Sequence, residues 1–100
     1  MKIDFVRSGG FAGLRLSVNV DIQTLPADQS AALAKLIRDS GFFNLPAQIK
    51  SPYGGADRFE YRLTISDAGR SHSVTVGEAA MPESLRPLIE RLTEMAKSPR

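Results

Sequence analysis

The stretch LRLSVNVDI, residues 14–22, alternates apolar and polar side chains over all nine of its positions. Successive side chains of a β-strand point to opposite faces, so this period of two predicts a strand with one buried and one exposed face. Such a strand needs neighbouring strands and a cover for its apolar face. The sequence on both sides of residues 14–22 supplies them.

A second alternation, over residues 2–7, precedes this strand and predicts a partner for it. The link between the two, RSGGFAGLR at residues 7–15, is rich in glycine. Two strands joined by a short glycine-rich link form a β-hairpin, and we place its tip at residues 8–12.

The glycines of this link have two interpretations. Glycine costs stability in an ordered element, so Gly9, Gly10 and Gly13 around Phe11 indicate either a shaped turn or a thin surface that meets another molecule. Phe11, like Tyr53 in a second glycine-rich segment, could pack down over the end of the sheet or insert into a partner. The residues alone leave both possibilities open.

A helix is predicted over PADQSAALAKLIRDS, residues 26–40. Its N-cap falls at Thr24 or Leu25, and Pro26 suits the first turn. Gly41 is the residue type that commonly ends a helix in the left-handed conformation. The apolar stripe of this helix consists of Ala32, Leu33, Leu36 and Ile37.

The second half of the chain repeats this order of elements. A loop is predicted over residues 47–57, followed by alternating strands over residues 59–65 and 72–76. The segment SDAGR, residues 66–70, predicts a hairpin turn of three to five residues between them.

A final helix carries apolar residues at helical spacing, with Ser84 as its N-cap and Pro87 in its first turn. The apolar positions are Leu85, Leu88, Ile89, Leu92, Met95 and Ala96.

The predicted order is therefore ββαββα, in a single domain of residues 1–100. We predict an α+β fold in which a four-stranded antiparallel sheet has both helices packed on one face. The opposite sheet face is then polar and carries Arg15, Asn19, Asp21, Arg58, Glu60 and Arg62.

Composition narrows the function classes. The chain has no cysteine, which excludes disulfides and thiolate metal sites and suits a reducing cytoplasm. The formal net charge is only +2, without a basic run or a repeat of basic and aromatic residues, so nucleic-acid binding is disfavoured. Neither a signal peptide nor a membrane span is evident. We expect a cytoplasmic protein that is a monomer when free.

The residues that carry enzyme chemistry are sparse. His72 is the only histidine, lies in strand register with Val74 and Val76, and is interpreted as a half-buried structural residue. No H-x-x-x-H, G-x-S-x-G or phosphate-loop pattern is present. We therefore predict a protein that is not an enzyme and uses no cofactor and no metal ion.

Four stretches together resemble the emfourin family of small bacterial inhibitors of protealysin. They are MKIDFVRSGGFAGLRL, GFFNLP, SPYGGADRFEYRLTISDAGRSHSV and PESLRPLIERL, which follow one another in this order along essentially the whole chain. The resemblance implies an intracellular inhibitor of protealysin-like metalloproteases, which are zinc enzymes of the thermolysin type.

The resemblance also implies how the glycine-rich hairpin tip could act. Such enzymes have a cleft with an apolar pocket for a large side chain, and Phe11 would be the anchor in it. The protease-binding residues are then Arg7, Ser8, Gly9, Gly10, Phe11, Ala12 and Gly13.

Two other modes of action remain. Zinc ligation by the inhibitor would need Asp4, Ser8 or a backbone oxygen, so steric blockade is favoured over it. The competing function is an interaction domain that binds another protein through the polar sheet face, by residues such as Arg15, Asn19, Arg58 and Arg62.

Overall fold

A computed structural model describes residues 1–9, 15–49 and 59–97 of the chain. Its strands and helices, in chain order, are β1 (Lys2–Gly9), β2 (Leu16–Asp21), α1 (Ala27–Ser40), β3 (Gln48–Ile49), β4 (Phe59–Asp67), β5 (Arg70–Gly77) and α2 (Arg86–Lys97). Short 3-10 turns lie at Ile22–Thr24, Phe42–Asn44 and Glu78–Ala80.

The described strands form one mixed sheet in the order β2-β1-β4-β5-β3. The α+β class is confirmed, but the four-stranded antiparallel sheet and the order ββαββα are wrong in detail. Gln48 and Ile49, inside the predicted loop 47–57, form a fifth strand parallel to β5. The backbone N–H of Thr75 donates to the carbonyl of Ala47 at 2.8 Å beside this pairing. Two residues are too few to show an alternation, so the sequence pattern did not reveal β3.

The register places the apolar strand residues, with the exception of Val6, on a single sheet face. Phe5 of β1 lies opposite Val18 of β2 and Leu63 of β4, and Leu63 lies opposite Val74 of β5. The apolar stripes of α1 and α2 join the same core, so both helices cover this face. The buried core residues are Ile3, Phe5, Val20, Ile22, Leu33, Ile37, Phe42, Tyr61, Leu63, Ile65, Val74, Val76, Leu85, Leu88, Ile89 and Leu92.

The opposite sheet face is polar, as predicted. Asn19, Glu60 and Arg62 are exposed on it, and Arg15 is exposed just before β2. Hydroxyl groups on this face bond to one another across β4 and β5, with 2.8 Å between Thr64 and Ser73 and 3.1 Å between Ser66 and Ser71. Arg58 lies outside the described residues.

Two turns show how local chemistry sets the element ends. Gly41 ends α1 with a φ of 64°, in the left-handed region predicted for it. The β4–β5 hairpin has a two-residue loop, Ala68 and Gly69, with φ values of 50° and 82°. The predicted turn of three to five residues is therefore wrong. Positive φ at both loop positions is the type I′ geometry that matches the twist of the strands.

The predicted helix caps differ from those observed. Pro26, not Thr24 or Leu25, is the N-cap of α1, and no side-chain hydrogen bond caps that helix. Helix α2 begins at Arg86, with Pro87 in its first turn as predicted. Ser84 is too far upstream to be the N-cap, and its hydroxyl donates instead to the carbonyl of Ser40 at 3.5 Å.

This packing predicts the cost of shortening a core side chain. Leu63 is 1 % exposed and Leu88 0 % exposed, so Leu63→Ala or Leu88→Ala should each lower the free energy of unfolding by about 2–5 kcal/mol. Denaturant titrations measure the change, with Arg62→Ala as the exposed control in the same strand as Leu63. Unfolding midpoints equal to that of the parent for both leucine variants would contradict this core.

Candidate functional site

One end of the sheet gathers the strand ends that flank both glycine-rich segments. Gly9 of β1 lies opposite Phe59 of β4, and Arg7 lies opposite Leu16, the first residue of β2. Ile49 of β3 lies beside Val76, near the end of β5. β1 and β2, which flank residues 10–14, and β3 and β4, which flank residues 50–58, therefore each have one end at this side of the sheet. We call it the loop end of the sheet.

Three of the seven predicted binding residues are among the described residues, and they form the end of β1. Arg7 and Ser8 are half-buried and Gly9 is exposed, all three within the strand. Gly10, Phe11, Ala12 and Gly13 lie outside the described residues, as does Tyr53.

The Arg7 side chain lies on the core face of the sheet and is held there by aromatic neighbours. Its guanidinium carbon is 4.3 Å from the centroid of the Phe59 ring, and its positive charge partly offsets the rise in the pKa of the Tyr61 phenol that burial causes. A cation over a ring face is attracted by the ring quadrupole, so the Phe59 ring holds the guanidinium on this face. The end of β1 is thus held against β4 by the Arg7 side chain as well as by backbone pairing.

Phe59 and Tyr61 continue an aromatic row that leads into the core. Ring centroids are 6.5 Å apart between Phe59 and Tyr61, and 6.0 Å apart between Tyr61 and the fully buried Phe5. Sequence reasoning assigned Phe59 and Tyr61 to a strand but not to the site. The available signal was Arg7 itself, a charge at the position where the alternation of Ile3 and Phe5 would place a third apolar residue.

A groove of about 200 Å³ opens beside this row, between the end of β5 and α2. It is lined by Tyr61, Glu78, Met81, Arg86, Ile89, Glu90, Thr93 and Glu94. Burial raises the pKa of the Tyr61 phenol, and the negative charge of Glu78 raises it further, while Arg7 and Arg86 act in the opposite direction. The phenol therefore stays protonated at neutral pH.

His72 lies away from the loop end and has a structural environment, as predicted. Its Nε2 is 2.7 Å from the carbonyl oxygen of Leu45, and its ring meets the edge of Phe42 at a centroid distance of 5.4 Å. Within the parts of the chain that the structure describes, no three His, Asp or Glu side chains are grouped closely enough to hold a metal ion. None of the helices described there is long and apolar enough to cross a membrane.

Fold and site together define a small α+β domain whose sheet has one helix-covered face, one open polar face, and an arginine–aromatic contact at its loop end. The emfourin family model matches residues 5–93, so the chain belongs to the emfourin family. Comparisons with curated proteins and with solved structures found no match.

The environment of Tyr61 predicts its titration. Because its pKa is raised above the ordinary value of 10.0, stability from the protonated phenol is fully present below about pH 10 and is lost as the pH rises through the folded-state pKa. The sequence has two tyrosines, so in a Tyr53→Phe variant the tyrosine signal comes from Tyr61 alone. Its phenolate absorbance should appear at higher pH in the folded protein than in denaturant. Equal midpoints in the two conditions would contradict the assignment.

Proposed function

We propose that this chain inhibits protealysin-like, thermolysin-type zinc metalloproteases by inserting residues 7–13 into the active-site cleft, with Phe11 as the anchor. Membership of the emfourin family, over residues 5–93, is the observation that carries the proposal. Because the emfourin family is a family of inhibitors, membership in it favours inhibition over catalysis as the function of this chain.

The geometry of β1 supports this region as the one that binds. β1 is hydrogen-bonded to β2 on one side as far as Arg7 and to β4 on the other as far as Gly9. Gly9 has a φ of 101°, a backbone conformation that residues other than glycine rarely adopt. The segment that follows Gly9 therefore starts from a fixed base, which lowers the entropy lost on binding.

The register also bears on the choice between zinc ligation and steric blockade. Asp4 lies opposite Asn19 and Thr64 in the middle of the sheet and not at the loop end. Of the two side chains considered as zinc ligands, only Ser8 belongs to the proposed contact, and a neutral hydroxyl is not among the usual protein ligands of zinc. Steric blockade of the cleft is favoured: Phe11 fills an apolar pocket, and the backbone beyond Ser8, which itself pairs with Glu60 of β4, pairs with an edge strand of the enzyme.

A second candidate function is supported by the open sheet face. Asp4, Asn19, Glu60 and Arg62 are all exposed on it, and neither α1 nor α2 covers it. A polar protein partner could bind there, in which case Arg62 and not Phe11 would dominate the affinity.

Substitutions at the two surfaces distinguish these functions. Phe11→Ala should weaken inhibition of a protealysin-like protease about thirtyfold, since loss of a central aromatic anchor costs at least about 2 kcal/mol. Gly10→Val should also weaken it by restricting the backbone. Inhibition constants measured in parallel with Arg62→Ala provide the comparison. Parent-like inhibition by both tip variants, with a loss in Arg62→Ala, would favour the sheet face instead.

A further pair of variants examines the base of the tip. Phe59→Leu keeps an apolar side chain but removes the ring under Arg7, and should weaken inhibition about threefold, the value of one exposed cation–π contact. Phe43→Leu is the matched control, because Arg70 lies 3.8 Å from the Phe43 ring at the other end of the sheet. Equal inhibition constants for the two variants would show that the Arg7 contact does not position the tip.

A further inference from the structure

Strand β2 is an edge of the sheet, and no strand among the described residues pairs with its outer side. The backbone N–H of Ile22 donates to the carbonyl of Met1 at 3.0 Å. This bond shows which alternate residues of β2 hydrogen-bond to β1. In an antiparallel pair, alternate residues hydrogen-bond inward, so Leu16, Val18 and Val20 bond to β1 while Ser17, Asn19 and Asp21 direct their backbone groups outward. Among the described residues, only the carbonyl of Asp21 has an outer partner, the Thr24 hydroxyl at 2.8 Å.

Proline, lysine and β-bulges, three features that often block an open edge, are absent from β2 over Leu16–Asp21. The opposite edge of the described sheet, β3, is only two residues long. Of these two edges, β2 is the one long enough to template another strand.

A groove of about 310 Å³ runs along this edge, between β2 and the end of α2. It is lined by Ser17, Val18, Asn19, Val20, Asp21, Thr24, Met95 and Ala96. Val18 and Met95 are only half-buried at its wall. A strand added to β2 would cover both apolar side chains.

We propose that the occupant of this edge is the β2 strand of a second copy of the chain, paired antiparallel about Val18. In this register Arg15 lies opposite the partner's Asp21, and two-fold symmetry forms that opposite-charge pair twice. Ser17 lies opposite the partner's Asn19 on the polar face, and Leu16 opposite the partner's Val20 on the apolar face. Both polar and apolar alternations therefore match across the interface.

The neighbouring register, centred on Asn19, matches less well. It would pair Asn19 with itself and move Arg15 opposite the partner's Gln23, so both charge pairs would be lost. The register centred on Val18 is also compatible with the outward backbone groups, because it pairs Ser17 with Asn19 and Arg15 with Asp21, all at outward positions. Charge complementarity selects it.

This association differs from the free monomer expected from the sequence, since the sequence did not show which strand forms an edge. It is independent of the proposed inhibition. Pairing uses the side of β2, whereas the proposed protease contact extends from the loop end, so the two are measured separately.

Sedimentation of the full chain over roughly 10 µM to 1 mM tests the proposal, because an interface this small binds weakly. We expect a dimer at the upper concentrations. Arg15→Asp places like charges opposite each other and should raise Kd at least about tenfold. The double variant Arg15→Asp/Asp21→Arg restores opposite charges and should return Kd towards that of the parent. Arg62→Glu, a charge change on a central strand, should leave Kd unchanged.

Asn19→Pro provides a backbone test. It removes an outward N–H without removing a hydrogen bond to β1, so the monomer should keep its fold while pairing is lost. If thermal melts show that this variant is unfolded, the charge-exchanged variants decide alone.

Three outcomes would overturn self-pairing: a monomer up to 1 mM, a dimer that persists in folded Asn19→Pro, or no rescue by the double variant. A monomer whose Ser17 and Asn19 amides become protected from hydrogen exchange only when a protease is bound would assign the edge to that enzyme and would overturn it as well.

Discussion

The insertion of β1 between β2 and β4 is the constraint on which the other features of the molecule depend. Phe5, fully buried, faces Val18 on one side and Leu63 on the other. Because side chains alternate along strands, this register directs the apolar residues of neighbouring strands to the face that α1 and α2 cover. A shift of one residue would expose that apolar set to solvent. The strand order leaves β2 at the edge, and the register brings Arg7 beside Tyr61.

Local chemistry made most of the elements predictable from sequence. The alternations over residues 14–22 and 59–65 identified β2 and β4, and the apolar stripe with Gly41 identified α1. The two-residue strand β3 was missed, since its pairing with β5 depends on long-range packing and not on a pattern of its own. The length of the loop at Ala68 and Gly69 also escaped prediction, because Ala does not signal a positive φ as Gly or Asn does.

The candidate site was predictable only in part, because it too combines a local pattern with long-range pairing. The glycine-rich composition after Arg7 marked the hairpin link as unusual, and the structure places Arg7, Ser8 and Gly9 at the end of β1. Phe59 and Tyr61 could not be connected to Arg7 in advance, because the β1–β4 pairing joins residues separated by half of the chain. A sequence pattern indicates which face of a strand a residue occupies, but it does not indicate which strand lies beside it.

The long sequence separation between β1 and β4 has a consequence for how the chain folds. Phe5 reaches its partner Leu63 only after the intervening chain, including β2 and α1, has been closed into a large loop. Loop closure of this kind is an entropic cost that precedes any gain from the contact, so folding is slower than in a domain of local contacts. During synthesis, the first hairpin and helix leave the ribosome with the second side of β1 still unpaired. The N-terminal half therefore acquires its native sheet only when β4 has been made.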